Sequence, residues 1–288
     1  MELIIYGIVN SIILILMSFG FALVYGVSRV PNFAHGALFI LAGYLAWIFL
    51  NRFDLPYILA ILLALIIVTV IGALLYRIII VRVRGMRTSE IVVSLGVGIA
   101  ILEYLRWSGL RGMAIMLPPF ISGSTSILGV SIDYQRVIIV IAGLGLLAFL
   151  WSFTSYTKTG LALKAIAQNE RAALALGIDA DMAATVAVAL GALFAGIAGI
   201  FILPIGNIVV ELGYDVLIFA IAVSVCGGVG SWKGAVYASF LIGFAQILTV
   251  TYIAAHFHFA VALLVIIFVL IIKPSGLFGR QKELEERV

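Results

Sequence analysis

The chain has 288 residues, of which 65% are hydrophobic and 10% are charged. A soluble globular domain carries about 25% charged residues, so this composition excludes one and indicates a multi-pass membrane protein. The formal net charge of +4 comes from basic residues in a few short connections and not from a basic stripe with interleaved aromatic residues, so we expect no nucleic-acid partner.

In chain order, the first apolar run covers residues 4–26 and follows Met1 and Glu2 directly. No basic segment precedes it and no small-residue cleavage site follows it, so we predict a retained span and not a removed signal peptide. Further runs are long enough to cross a hydrocarbon core of about 30 Å. They lie at residues 36–50, 56–76, 90–106, 136–153, 183–204, 214–231 and 234–273, with a break in the last run near residues 252–257.

These runs give nine crossings, or eight with one re-entrant segment. We therefore predict an all-α polytopic integral membrane protein with about eight transmembrane helices, formed by residues 1–288 as a single transmembrane domain. Basic residues cluster at residues 77–87, 158–171 and 273–287, and clusters of this kind favour the cytoplasmic side. The N-terminus is then external, and the tail of residues 274–288 is cytoplasmic. The largest external connection is residues 106–136, which we expect to form an irregular excursion over the outer surface.

Two segments with glycine and proline interrupt the apolar pattern. The first covers residues 25–36 and includes Pro31, near the inner side, and the second covers residues 203–215 and includes Pro204, near the outer side. Such broken segments in two halves are typical of inverted repeats and often mark a translocation pathway. Ordinary loop ends would give the same pattern, so the spacing alone predicts a possible inverted repeat and leaves both interpretations open.

The segment from Thr157 to Ala183 is the only sizeable helical stretch that is too charged to cross a bilayer. Gly177 suits the left-handed residue that closes a helix, and Ile178 follows it where an apolar contact is expected. Asp179 or Asp181 can cap the next helix. On spacing alone this loop, residues 154–183, is either an ordinary surface helix or an element that docks on another protein.

The sequence contains no set of side chains that indicates catalysis or metal binding. Glu103 lies one turn from Arg106, where a local ion pair is expected. The single cysteine, Cys226, excludes an internal disulfide framework. The glycine-dense segment of residues 227–234 lacks the order of a phosphate-binding loop. We therefore predict no catalytic residue, no metal site and no cofactor in this chain.

Neutral polar residues within the spans and residues at the two breaks are the candidates for a solute path. Backbone that leaves a helix at membrane depth is tolerated only where protein or a water-filled cavity satisfies it. Hydrogen bonds between helices are the commoner role for polar residues in spans. The candidate path residues are Asn10, Asn32, His35, Ser94, Asn207 and Glu211.

Several motifs resemble the permease subunits of branched-chain amino-acid ABC importers. One is VYG at residues 24–26 with NFAHG at residues 32–36. Another is TG-x-A-x-KA-x-AQN at residues 159–169 with AA-x-x-x-GI at residues 172–178, and a third is GGVGSWKGA at residues 227–235. The similarity extends from near the N-terminus to about Leu277.

This resemblance implies a membrane permease of an ATP-driven importer in a prokaryotic inner membrane. The solute would be a branched-chain amino acid or a related small polar compound. The implied partners are a homologous second permease subunit or a second copy, two cytoplasmic ATPase subunits that hold ATP and Mg²⁺, and an external solute-binding protein. The alternatives from the residues alone are a stand-alone facilitator or secondary carrier and, more remotely, an intramembrane enzyme.

The resemblance also implies that the loop of residues 154–183 docks on the ATPase. Arg171 stands where the general family pattern has glutamate, and Glu170 precedes it, so the resemblance implies no particular salt bridge to the ATPase. The implied coupling residues are Gly160, Lys164, Asn169, Glu170, Arg171, Ala172, Ala173 and Gly177.

Overall fold

The computed structural model describes residues 1–110 and 115–279, and every long apolar run within them is helical. The helices are α1 (Glu2–Ser28), α2 (His35–Asn51), α3 (Tyr57–Leu74), α4 (Arg87–Leu105), α5 (Tyr134–Tyr156), α6 (Lys158–Gln168), α7 (Glu170–Ala175), α8 (Ala180–Ile202), α9 (Glu211–Gly227), α10 (Trp232–Tyr252) and α11 (His258–Ile272). A π-helical turn and a 3-10 turn extend α3 to Val83, and a π-helical turn extends α4 to Leu110. The break expected near residues 252–257 is present as the turn Ala255–Phe257.

The helix lengths confirm an all-α polytopic membrane protein. Within the described residues, seven helical stretches are long and apolar enough to cross a membrane, and α2 is a shorter apolar helix. Helices α2 and α9 have 17 residues each, or about 26 Å at the α-helical rise. That length is below the hydrocarbon thickness of about 30 Å. Each of these two helices follows one of the predicted breaks.

Helices α1 and α8 form the centre of the bundle. The most apolar windows of their spans are 78% and 67% buried, whereas the corresponding window of the α11 span is 11% buried and faces outward. Gly20 of α1 lies against Gly191 of α8, and Val27 packs in one cluster with Ala183. Because the residue numbers rise on α1 as they fall on α8, the two central helices are antiparallel.

The contacts between helices repeat when α1–α4 are exchanged with α8–α11. Helix α1 packs on α10 as α8 packs on α3, and α1 packs on α9 as α8 packs on α2. In the same way, α2 contacts α3 and α4 as α9 contacts α10 and α11. Since α1 and α8 run in opposite directions, this exchange relates two inverted halves, which is one of the two interpretations that the breaks left open.

The two halves meet where the N-terminal ends of α2 and α9 cross. A Cβ atom on Gly36 would overlap the carbonyl oxygen of Gly213, and one on Gly213 would lie 3.2 Å from the carbonyl oxygen of Gly36. The absence of side chains at both positions allows the backbones to touch. The helix that follows the inner break and the helix that follows the outer break therefore start next to each other inside the bundle.

The connection of residues 106–136, which was predicted to be external, contains a β-hairpin, so the prediction of an irregular excursion is wrong for these residues. Strand β1 (Ser124–Ile127) pairs antiparallel with β2 (Val130–Asp133). Leu128 and Gly129 between them have φ of 53° and 82°, the left-handed pair that a type I′ hairpin turn requires. The Tyr6 hydroxyl donates to the Ser131 carbonyl at 3.0 Å, so α1 holds the hairpin.

After α11 the chain folds back along the end of α9. The Leu277 N–H donates to the Cys226 carbonyl at 2.8 Å, and the Phe278 N–H donates to the Gly227 carbonyl at 2.9 Å. These bonds fix the first part of the predicted cytoplasmic tail. The predictions for tail residues 280–288 and for residues 111–114 of the external connection lie outside the described residues.

Candidate functional site

The segment between α5 and α8 folds into two short helices, each of which begins with a side-chain cap. The Thr157 hydroxyl accepts from the Gly160 N–H at 3.0 Å at the start of α6. The Asn169 side chain accepts from the Ala172 N–H at 3.2 Å at the start of α7. Such caps satisfy backbone donors that have no partner within the helix. The segment is therefore an ordered structural unit, and Asn169 is the residue that separates its two helices.

Helix α7 ends in the turn that Gly177 predicts. Gly177 has φ of 80°, its N–H donates to the Leu174 carbonyl at 2.9 Å, and the Ile178 N–H donates to the Ala173 carbonyl at 3.1 Å. This pair of bonds is the Schellman motif. Asp179 then accepts from two backbone N–H groups at the start of α8, so the predicted cap of the next helix is Asp179.

The predicted coupling residues divide between two faces of this segment. Gly160 and Ala173 are buried against the chain's own helices, and Ala173 packs with Val27 and Leu163. A Cβ on Gly160 would overlap the carbonyl oxygen of Phe153. These two small residues therefore serve the internal packing of the segment. The remaining predicted coupling residues other than Gly177 have exposed side chains: Lys164, Asn169, Glu170, Arg171 and Ala172.

Large apolar side chains are also exposed on the segment, and the sequence analysis did not select them. Leu176 is 81% exposed, and Leu174 is 49% exposed. A leucine gains about 1.5–3 kcal/mol when it is fully buried. Their exposure on a short, otherwise charged segment makes this face a candidate for contact with another protein.

Two arginines from elsewhere in the chain hold the segment in place. Arg84 pairs with Asp181, and its guanidinium lies 3.3 Å from the Glu170 carboxylate. The Tyr76 hydroxyl donates to Asp181 at 3.3 Å. Arg29 donates to the Ala167 carbonyl at 2.6 Å. The basic clusters predicted that Arg84 and the segment of residues 158–171 lie on the same side of the membrane, and their contact agrees with this. Nothing in the local sequence gave the partners of either arginine.

Three of the predicted path residues come together at the inner break. The Asn32 side chain accepts from the Ala34 N–H at 3.1 Å, and the Ser94 hydroxyl accepts from the Phe33 N–H at 3.2 Å. His35 Nε2 is 2.8 Å from the Met17 carbonyl, so this nitrogen is the protonated one. All three side chains are buried. They supply the partners that a broken backbone needs within the membrane.

A narrow crevice lies beside the inner break. Its lining includes Ser28, Asn32, Tyr76 and Glu90, and it has room for about one water molecule. Glu90 is buried, and its carboxylate accepts from the Gly85 N–H at 2.7 Å. A molecule larger than water does not fit in this space.

The outer break has a different environment. Asn207 and Glu211 are exposed, and the Glu211 carboxylate lies 2.9 Å from Arg106, which also pairs with Glu103 at 2.8 Å. The second of these pairs is the local ion pair expected from the sequence. The Ile208 N–H donates to the Ile115 carbonyl at 2.7 Å, so the break is joined to the external connection.

Asn10 does not join either break. Its side-chain amide donates to the Gly243 carbonyl at 3.1 Å and to the Gln246 side chain at 2.9 Å. Gln246 in turn donates to the His258 carbonyl at 3.2 Å. Asn10 therefore ties α1 to α10 and α11, which is the commoner role of a polar residue in a span.

Comparisons with known proteins agree with this architecture. Residues 3–272 match the family described as branched-chain amino acid transport system / permease component. The high-affinity branched-chain amino acid transport system permease protein LivH of Salmonella typhimurium is 28% identical, over 92% of this chain and 91% of that protein. The probable branched-chain amino acid transport permease protein LivH of Methanocaldococcus jannaschii is 27% identical, over 95% and 90%.

A solved structure has a similar fold. It is described as PsaBC from Streptococcus pneumoniae in complex with Fab, and it superposes with a TM-score of 0.53 over 96% of this chain and 94% of that chain. The sequences are 14% identical, so the likeness concerns the fold alone.

Proposed function

This chain belongs to the family of branched-chain amino acid transport permease components, and we propose that it is the membrane-spanning permease subunit of an ATP-binding-cassette importer. Two copies, or this chain and a homologous permease, form the translocation path. Two cytoplasmic ATPase subunits bind ATP and Mg²⁺ and drive the cycle, and an external binding protein delivers the solute.

The observation that carries this proposal is the construction of the segment formed by α6 and α7. Its inner face is packed on the bundle and held by Arg29 and Arg84, while Leu174 and Leu176 are exposed. A rigid segment with an exposed apolar face can be pushed as one body by a partner that binds it. We assign this face to the ATPase, with Lys164 and Arg171 at its exposed rim.

The contacts within the bundle support an orientation with the N-terminus outside and the C-terminus in the cytoplasm. Arg29 at the end of α1 contacts the basic segment of residues 158–171, and such segments favour the cytoplasm. Gly26 lies against Gly230, which places the α9–α10 connection and the adjoining tail on the same side. Opposite sides for the two termini require an odd number of crossings, so this orientation takes nine, by α1–α5 and α8–α11, in place of the eight predicted. Helices α2 and α9 are shorter than the hydrocarbon thickness and cross it together with the breaks that lead into them.

We place the solute path along the two breaks, from Asn207 and Glu211 on the outer side to Asn32, His35 and Ser94 on the inner side. The contact between the starts of α2 and α9 supports this path, because it brings the end of the inner break next to the end of the outer break. Opening the inner side requires exchange of the hydrogen bonds that Asn32 and Ser94 now make to the backbone. The names of the relatives, which specify branched-chain amino acids, support a solute of that class or a related small polar compound.

The proposal is tested in proteoliposomes that contain this chain either alone or with its ATPase, second permease and binding protein. We expect uptake of leucine, isoleucine or valine only with the complete set and only with ATP. The matched control is the complete set with a non-hydrolysable ATP analogue. Equal uptake by this chain alone would instead identify a facilitator or a secondary carrier.

A further inference from the structure

Arg29 lies at the junction of two parts of the molecule. It follows Ser28, the last residue of α1, and lies within the inner break, three positions before Asn32. Its guanidinium donates to the carbonyl of Ala167, in the last turn of α6, at 2.6 Å. One residue therefore connects the segment that we assign to the ATPase with the segment that we assign to the inner side of the solute path.

The environment of this bond favours a cationic donor. The last four carbonyl groups of a helix have no partner within the helix, and the carboxyl end of a helix carries partial negative charge. A guanidinium that donates to such a carbonyl makes a charge-assisted hydrogen bond, which is shorter and stronger than a neutral one. The bond therefore links the Arg29 side chain to the end of α6.

The backbone at Arg29 is also unusual. It has φ of 60° and ψ of 7°, while its N–H donates to the Tyr25 carbonyl at 3.1 Å. A residue with a Cβ atom rarely adopts this left-handed conformation, and it persists where surrounding contacts hold it. The side-chain bond to Ala167 starts from this same residue, so α6 is joined directly to a left-handed position within the inner break.

The second arginine that holds the segment has a different connection. Arg84 follows the extension of α3 and pairs with Glu170 at the start of α7 and with Asp181 at the start of α8. It joins the starts of α7 and α8 to the α3–α4 connection. Arg29 is the arginine that reaches from the inner break, so the two contacts are separable by mutation.

We propose that Arg29 is the positioning residue that couples movement of α6 to opening of the inner break. This inference rests on the proposed function, because it requires an ATPase that moves α6. When the ATPase closes and displaces α6, the bond to Ala167 pulls on the end of α1 and on the backbone leading to Asn32. Loss of the side chain separates ATP hydrolysis from transport without separating the subunits.

The test uses the complete importer in proteoliposomes with Arg29→Gln, Arg29→Lys and Arg82→Gln. Arg82 is exposed and its side chain makes no hydrogen bond or ion pair within residues 1–110 and 115–279, so Arg82→Gln controls for the loss of one positive charge from the same connection as Arg84. We measure assembly, ATP hydrolysis with and without loaded binding protein, and the number of solute molecules transported per ATP.

We expect Arg29→Gln to assemble and to keep its basal ATP hydrolysis, while the solute transported per ATP falls at least fivefold. Arg29→Lys should recover part of this ratio, because an ammonium keeps the charge and can still donate, and Arg82→Gln should match the wild type. A wild-type ratio in Arg29→Gln would overturn the inference while leaving the proposed function intact. If the wild-type complex itself shows no ATP-driven uptake, the proposed function fails and this inference fails with it.

If Arg29→Gln does not assemble, a measurement on the wild-type complex tests whether α6 is coupled to the inner break. Amide hydrogen exchange is compared with and without bound ATPase. We expect slower exchange at residues 158–175, where the ATPase binds, and a coupled change at residues 30–34, which it does not touch. A change confined to residues 158–175 would overturn the inference.

Discussion

At the residue scale, Gly177 was predicted from the sequence as the left-handed residue that closes a helix, and its effect on coupling can be measured. Its φ of 80° is costly for a β-branched residue, and we expect Gly177→Val to lose about 1–2 kcal/mol at the end of α7. The chain should still insert, but co-purification of the ATPase should fall. Asparagine tolerates the left-handed region, so Gly177→Asn is the matched variant and should retain most of the ATPase.

Wild-type ATPase recovery and wild-type solute-stimulated hydrolysis in Gly177→Val would show that the geometry of this turn does not matter for coupling.

The backbone contact of Gly36 with Gly213 supports a second prediction. A methyl group at Gly36 has no space, so Gly36→Ala should destabilise the protein by about 1–3 kcal/mol, as overpacked cores do. Thermal unfolding in detergent measures the effect. The control is Gly145→Ala on α5, where an added Cβ meets nothing within 4 Å and the higher helix propensity of alanine applies. Equal melting temperatures for the two variants would refute the close contact of α2 and α9.

The sequence could locate the candidate residues but could not give the direction of their side chains. NFAHG identified Asn32 and His35, and the structure brings Ser94 to the same break. Asn10, chosen on the same polar character, points to α10 instead. Gly160 and Ala173 are small, and a small residue suits an internal contact as well as an external one. Tertiary packing, which a local motif does not record, decides between these cases.

At the element scale, the exposed face of α7 carries its own prediction. Replacing Leu174 and Leu176 with serine removes apolar area that the ATPase would bury. Burial of one leucine contributes about 1.5–3 kcal/mol to the free energy of binding when it is complete. Since 1.4 kcal/mol is a tenfold change in affinity, we expect ATPase binding to weaken by at least tenfold. Leu128→Ser at the hairpin tip, where the side chain is 73% exposed, is the control for loss of a surface leucine. If Leu128→Ser weakened ATPase binding to a similar extent, the assignment of the α7 face to the ATPase would be wrong.

The long apolar helices were predictable because composition alone determines them. The observed ends of α1, α2 and α10 lie within two residues of the expected ones. The hairpin of residues 124–133 was missed because its strands have four residues each and because Leu128, not the usual Asn or Asp, takes the first left-handed position of the turn. The alternation of Ser131, Ile132 and Asp133 was the available signal.

At the scale of the whole molecule, the outer break is exposed and the inner break is buried, so we predict that residues at the two breaks differ in their access to solvent. In a Cys226→Ala background, Asn207→Cys on the exposed outer break should react with a small polar thiol reagent in the resting state. Asn32→Cys on the inner break, where the native side chain is 4% exposed, should react only while ATP is being hydrolysed. Asn10→Cys, away from both breaks, is the control and should not change its reactivity with nucleotide. An Asn32→Cys that stays unreactive in every nucleotide state would count against the path.

The central claim is that the ATPase binds to the α6–α7 segment, and photocross-linking in native membranes tests it most directly. A photoreactive phenylalanine analogue replaces Leu176, or Leu128 as the control on the hairpin. We expect the probe at residue 176 to form a covalent adduct with the ATPase, and the probe at residue 128 to form none with it. An ATPase adduct at residue 128, or none at residue 176 in a membrane that transports the solute, would contradict the account.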